Sequence, residues 1–119
     1  MKITKLGHCC LLIDIKGKRF LTDPGNYSSS QNELKNIDYI VISHEHTDHL
    51  HIESVKKIIE NNPDVNIISN SSVGKILENE SIKYTKISHG ESLKIGDIEV
   101  SGHGLKHAPI YKDYEQVEN

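Results

Sequence analysis

The stretch Asp38-Tyr39-Ile40-Val41-Ile42-Ser43-His44-Glu45-His46-Thr47-Asp48-His49-Leu50-His51 decides how the chain reads. Its first half is a short apolar run rich in β-branched residues, the pattern of a strand buried in a sheet. Its second half holds four of the chain's eight histidines, with Glu45 and Asp48 among them. Imidazole nitrogen and carboxylate oxygen are the donors that a borderline cation such as zinc takes in catalytic sites. His44 and His46 are two apart, so in an extended segment both project to one side. Asp48 and His49 follow where the chain turns towards a helix, which brings two pairs of donors around one small volume. A lone histidine is usually a surface or core side chain, and one His-x-His pair arises by chance. Half of all the histidines in one octapeptide, directly after a buried strand, points to metal binding.

Upstream of this segment, Lys2–Leu6, Cys9–Ile15 and Lys18–Thr22 read as strands, with a hairpin turn at Lys16-Gly17. Asp23-Pro24-Gly25 stops the third strand, and a polar loop runs through Ser28-Ser29-Ser30. Downstream, Ile52, Val55, Ile58 and Ile59 recur at helical spacing and predict an amphipathic helix over about 51–61, ended by Asn61-Asn62-Pro63. Val65–Ser69 reads as a strand. Asn70 or Ser71 then caps a second helix with Val73, Ile76 and Leu77 on its buried face. Leu93–Ile95 and Ile98–Val100 flank Gly96-Asp97 as a hairpin, and its second strand is expected to run on to Lys106. The order is mixed α/β, and the donor cluster sits where a buried strand empties into a loop, the usual place for a site in an open α/β sheet.

Size and composition narrow the function. A chain of 119 residues suits one domain at most. Only 5% of the residues are aromatic, so the core must rest on Ile, Leu and Val. The net charge is −3 with acids and bases mixed and no basic stripe, which argues against a nucleic-acid surface built on phosphate contacts. No apolar run approaches the ~20 residues that span a bilayer. Met1–Lys5 leads straight into strand-like sequence without a signal-peptide core, so a cytoplasmic location away from membranes is expected. Cys9 and Cys10 are adjacent and point to opposite faces of a strand, so they are poorly placed to pair. They read as two small core residues in a reducing cytoplasm.

Ser43-His44-Glu45-His46-Thr47-Asp48-His49-Leu50 resembles the His-x-His-x-Asp-His signature of the metallo-β-lactamase superfamily. Leu6-Gly7-His8-Cys9-Cys10-Leu11 and Phe20-Leu21-Thr22-Asp23-Pro24 are similar to that superfamily's first strands, in the branch of L-ascorbate-6-phosphate lactonase and related metal-dependent hydrolases. The resemblance implies an α/β fold of a particular kind. It would be the N-terminal half of an αββα sandwich, a mixed sheet with helices on one face and its second face left to a further sheet.

The resemblance also implies a ligand set. The first metal takes His44, His46 and a later histidine, for which His107 is favoured over His103, while His89 reads as a surface residue. The second metal takes Asp48 and His49, and Asp48 also orients the nucleophile as the catalytic residue. One or two zinc ions are implied, with manganese or iron as alternatives. The expected reaction is hydrolysis of an ester, lactone, amide or phosphodiester in a small-molecule substrate by metal-bound hydroxide. Asp23 either holds a ligand histidine or simply forms an Asp-Pro-Gly turn. His8 is read as pocket-lining, surface or core, and His51 as the start of the helix.

The sequence also departs from the family pattern. The family's bridging Asp and final His lie beyond the third His, whereas this chain ends at Asn119 and Asp113 comes too soon to bridge. Residues 1–119 are therefore expected to be a partial domain with impaired hydrolysis. The alternatives are a non-catalytic metal-binding fragment and a subunit that completes its fold as a homodimer or with a complementing chain.

Overall fold

The computed structural model describes residues 1–103. The chain begins as an antiparallel meander of β1 (Lys2–Gly7), β2 (Cys10–Ile15) and β3 (Lys18–Thr22). Strands β4 (Tyr39–Ile42), β5 (Asn66–Ser69) and β6 (Thr85–Lys86) then join in parallel, giving a six-stranded mixed sheet in the order β1-β2-β3-β4-β5-β6. Parallel neighbours need crossover connections. Helices α1 (Ile52–Asn61) and α2 (Ser71–Asn79) supply them between β4, β5 and β6. The loop from β3 to β4 carries a short 3-10 turn, Ser30–Glu33. The expected α/β architecture is therefore present.

Strand register explains which face is buried. Leu12, Leu21, Ile40 and Ile67 are successive cross-strand partners, so they form one row on one face. That row shares a single core with Val55 and Ile58 of α1 and with Val73 and Leu77 of α2. Both helices thus cover the same face, as the helical spacing of their apolar residues requires. Burying each such aliphatic side chain contributes about 1.5–3 kcal/mol.

The opposite face carries the row Ile13, Phe20 and Tyr39, with the last two rings stacked at 5.0 Å. Strands β7 (Ser92–Ile95) and β8 (Ile98–Ser101) form a separate two-stranded sheet rather than joining the main one. Val100 of β8 lines a cleft with Val41 and Ile68, and Lys16 Nζ donates to the Asp97 carbonyl at 3.2 Å. The hairpin thus lies over part of the second face, where Ile68 is fully buried. The large hydrophobic residues left exposed among the described residues are Met1, Ile3 and Tyr27. No helix among the described residues is long and apolar enough to cross a membrane.

Some strand boundaries and one strand differ from expectation. The turn between β1 and β2 is His8-Cys9, with His8 at φ +48° and an irregular register between Lys5 and Gly7, so Cys9 stands outside the strand. Strand β8 ends at Ser101 instead of running to Lys106: Gly102 and His103 are not in the strand, and residues 104–106 lie outside the described residues. Strand β6 was not foreseen, because two exposed residues carry no alternating pattern.

Candidate metal centre

The histidine loop is laced to its surroundings by short-range chemistry. Ser69 Oγ donates to the Ile42 carbonyl at 2.7 Å, and Asn70 Nδ2 donates to the Ser43 carbonyl at 3.0 Å. Asn70 Oδ1 meanwhile accepts the Val73 amide at 2.9 Å, so one side chain both caps α2 and holds the end of β4. The amides of His49 and Leu50 both donate to the His46 carbonyl at 2.9 Å, which closes the loop into a turn. Leu50, only 4% exposed, anchors that turn in the core.

From the other side, the His51 amide donates to the Pro24 carbonyl and the Asn26 amide to the Thr47 carbonyl. Between those bonds Gly25 lies directly against the Asp48–His49 peptide. A Cβ on Gly25 would collide with the Asp48 carbonyl group and the His49 nitrogen, so the close approach needs glycine.

This scaffold gathers the predicted donors. His44 is buried, and its ring lies 5.0 Å from that of His46 and 3.9 Å from that of His49. One ligand atom each from His44, His46 and Asp48 lies within 4.8 Å of the others. In a tetrahedral site, nitrogen and oxygen donors at about 2.0–2.2 Å from a shared zinc lie roughly 3.3–3.6 Å apart. The triad therefore closes on a cation with side-chain movements of up to about 1 Å. The chemistry of the donor set, two imidazoles and a carboxylate, also fits.

The flanking contacts orient these groups. Ser43 Oγ lies 3.0 Å from His44 Nδ1. Asp23 Oδ2 lies 2.8 Å from His49 Nδ1 and accepts the Ser43 hydroxyl at 2.7 Å, while Oδ1 accepts the Ser43 amide at 2.7 Å. Such partners fix ring orientation in metal sites. Asp23 does this from a left-handed backbone, φ +40°, and its carbonyl also accepts the Gly25 amide, so it forms the turn as well. Both readings of Asp23 hold in the geometry.

His8 Nε2 is 2.9 Å from Asp48 Oδ2, and His49 Nε2 is 3.3 Å from the same oxygen. Burial alone would raise the Asp48 carboxyl. The His8 hydrogen bond and the His49 charge outweigh it and hold that carboxyl below its ordinary value. Burial, and after it the carboxylates of Asp23 and Asp48, push the Cys9 thiol upward. Burial pushes the Cys10 thiol up to about 12.

His44, His46, Asp48 and His49 thus lie close together, with Asp48 grouped with His44 and His46 and His49 with His8 and Cys9. His51 is the N-cap residue of α1, with Nδ1 2.9 Å from Ser54 Oγ. His89 sits in the turn before β7. His103 is exposed and lines a cleft of about 170 Å³ with Ser43 and Asn70. His107, the favoured third ligand, and Asp113 lie outside the described residues. Sequence reasoning missed the placement of Cys9, which it read as a core residue. The structure puts ligand atoms of His8, Cys9 and His49 within 4.8 Å of one another. The signal lay in Gly7 just before the pair, which ends β1 and frees the next two residues for a turn.

Comparison with known proteins bears on the family and the fold. Residues 2–119 match the family model described as the beta-lactamase superfamily domain. Protein Rv0786c of Mycobacterium tuberculosis is 27% identical over 119 residues, 100% of this chain and 55% of that protein. A UPF0173 metal-dependent hydrolase of Flavobacterium johnsoniae is 32% identical over 100 residues, 79% of this chain and 43% of that protein. The chain thus spans about half the length of these curated relatives. A crystal structure from Parabacteroides distasonis superposes with a TM-score of 0.74 at 23% identity, covering 87% of this chain and 44% of that one, which shows the shared fold. On the match over almost its whole length, the chain belongs to the beta-lactamase superfamily, in its metallo-β-lactamase-fold branch.

Proposed function

We propose that the chain carries the metal centre of a metal-dependent hydrolase that cleaves an ester, lactone, amide or phosphodiester in a small-molecule substrate. The observation that carries this reading is the triad of His44, His46 and Asp48, with ligand atoms within 4.8 Å of one another at the open end of a buried parallel strand. His44, His46 and Asp48 would hold a zinc-class ion, with His49 beside them and His107 or His103 as the further imidazole. Manganese or iron suits the same nitrogen and oxygen donors. A bound divalent ion of this kind acidifies a water molecule and polarises a carbonyl or phosphoryl oxygen.

The chain's own residues do the positioning. Ser43 and Asp23 fix the rings of His44 and His49, which limits the reorganisation that binding a cation requires. Asp48 is the residue proposed to orient the attacking water, because its carboxylate stays ionised and accepts hydrogen bonds. His8 restrains that carboxylate through Oδ2.

The test is turnover of phosphodiester, lactone and ester substrates with and without added zinc or manganese, repeated on His46→Ala. Slow metal-dependent hydrolysis, in keeping with a partial domain, that disappears in the variant is expected. Equal rates in both proteins, or hydrolysis indifferent to metal, would overturn the proposal.

A further inference from the structure

We propose that His8 and the Cys9 thiolate join His49 as ligands of the second cation position, to which the family resemblance assigns only Asp48 and His49, and that Asp48 is shared with the first. The inference rests on the metal reading of the His44, His46 and Asp48 triad but assigns residues that the signature motif does not contain. Ligand atoms of His8, Cys9 and His49 lie within 4.8 Å of one another. The sulfur bond to zinc is about 2.3 Å, so tetrahedral sulfur and nitrogen donors lie about 3.6 Å apart and such a triad closes on one ion with side-chain movements of up to about 1 Å. Asp48 Oδ2 sits 2.9 Å from His8 Nε2 and 3.3 Å from His49 Nε2 while belonging to the first triad. The rings of His44 and His49 are 3.9 Å apart, so the two positions adjoin. One carboxylate therefore faces both.

The backbone places these side chains deliberately. The turn between β1 and β2 holds His8 in a left-handed conformation, and Thr22 Oγ1 donates to the Cys9 carbonyl at 3.0 Å while accepting the Leu11 amide at 3.0 Å. Cys9 is half-buried in the field of Asp23 and Asp48. A cation offsets that negative field. Sulfur, nitrogen and carboxylate donors together select a borderline ion such as zinc over magnesium or calcium, which take oxygen donors. On binding, the metal–sulfur bond forms as the Cys9 S–H bond breaks, and the thiol proton leaves to solvent.

Cobalt(II) titration of the full chain tests this, because thiolate ligation gives a near-ultraviolet charge-transfer band and nitrogen or oxygen ligation gives visible d–d bands. Two equivalents of cobalt, d–d bands and a thiolate band are expected. Cys9→Ser should lose the thiolate band and one equivalent while keeping the first set of d–d bands. Cys10→Ala should keep the thiolate band, since Cys10 is buried and belongs to neither triad. Cobalt d–d bands without any thiolate band in the unmutated chain would overturn this inference and leave the first metal position standing. A thiolate band that survives Cys9→Ser would overturn it equally. The absence of d–d bands altogether would overturn both.

Discussion

Replacing Asp23 by alanine should unlock the metal loop, and the cost follows from three contacts. The carboxylate accepts the Ser43 amide and hydroxyl at 2.7 Å each and faces His49 Nδ1 at 2.8 Å, from a residue only 8% exposed. Hydrogen bonds to an ionised group contribute about 1.5–3 kcal/mol each. Ser43 is exposed, so its hydroxyl can turn to water, and two of the three contacts set the loss. Alanine also fits poorly at φ +40°, a left-handed conformation that costs a side chain other than Asn or Asp roughly 1–2 kcal/mol. Neighbouring contacts are not additive, so Asp23→Ala should lower stability by about 3–5 kcal/mol. Asp23→Asn keeps the left-handed preference and one acceptor for the Ser43 amide, and should lose about 1–2 kcal/mol. Urea unfolding of the two variants beside the parent, followed by circular dichroism, measures both. Asp23→Ala within about 1 kcal/mol of the parent, or no gap between the variants, would refute the reasoning.

Gly25→Ala should displace the Asp48–His49 peptide, with a loss of about 1–3 kcal/mol from overpacking and weaker metal retention; unchanged unfolding midpoint and metal content would contradict this. The Asp48 carboxyl is held below its ordinary 3.8, so its stabilising contribution is full above that pH and lost as pH falls through the lower folded value. In metal-free protein the stability gap between parent and Asp48→Asn should therefore shrink as pH falls below 3.8 and through the lower folded value, and a pH-independent gap in urea midpoints would argue against it. Iodoacetamide at about pH 8 should leave Cys10 unmodified in the native chain, because its buried thiol is pushed up to about 12. Peptide mass mapping that finds Cys10 alkylated as fast as Cys9 before unfolding would contradict that.

Much of the fold could be read from the sequence because the periodicities are strong. Helix α1 was legible from Ile52, Val55, Ile58 and Ile59, and β4 from the uninterrupted Tyr39–Ile42 run. The donor cluster was legible because four of its members share one loop, so sequence proximity and spatial proximity coincide. Cys9 and His8 were harder, since they reach Asp48 and His49 across about forty residues of chain. No local pattern reports a contact of that kind. The separate β7–β8 sheet was equally hidden: alternation identifies the strands but not which sheet they join. Asp23 was legible only as two alternatives. An Asp-Pro-Gly turn and a histidine-orienting carboxylate have the same sequence, and the structure shows one residue serving both.

Elemental analysis of protein purified without chelator tests the metal centre most directly, with His44→Ala, His46→Ala and Glu45→Ala measured alongside. Glu45 shares the loop but stands outside both donor triads. The account predicts zinc-class metal bound to the parent and to Glu45→Ala, and at least a tenfold loss of affinity in each histidine variant. Metal content that is unchanged in His44→Ala and His46→Ala, with all four proteins folded by circular dichroism, would contradict it.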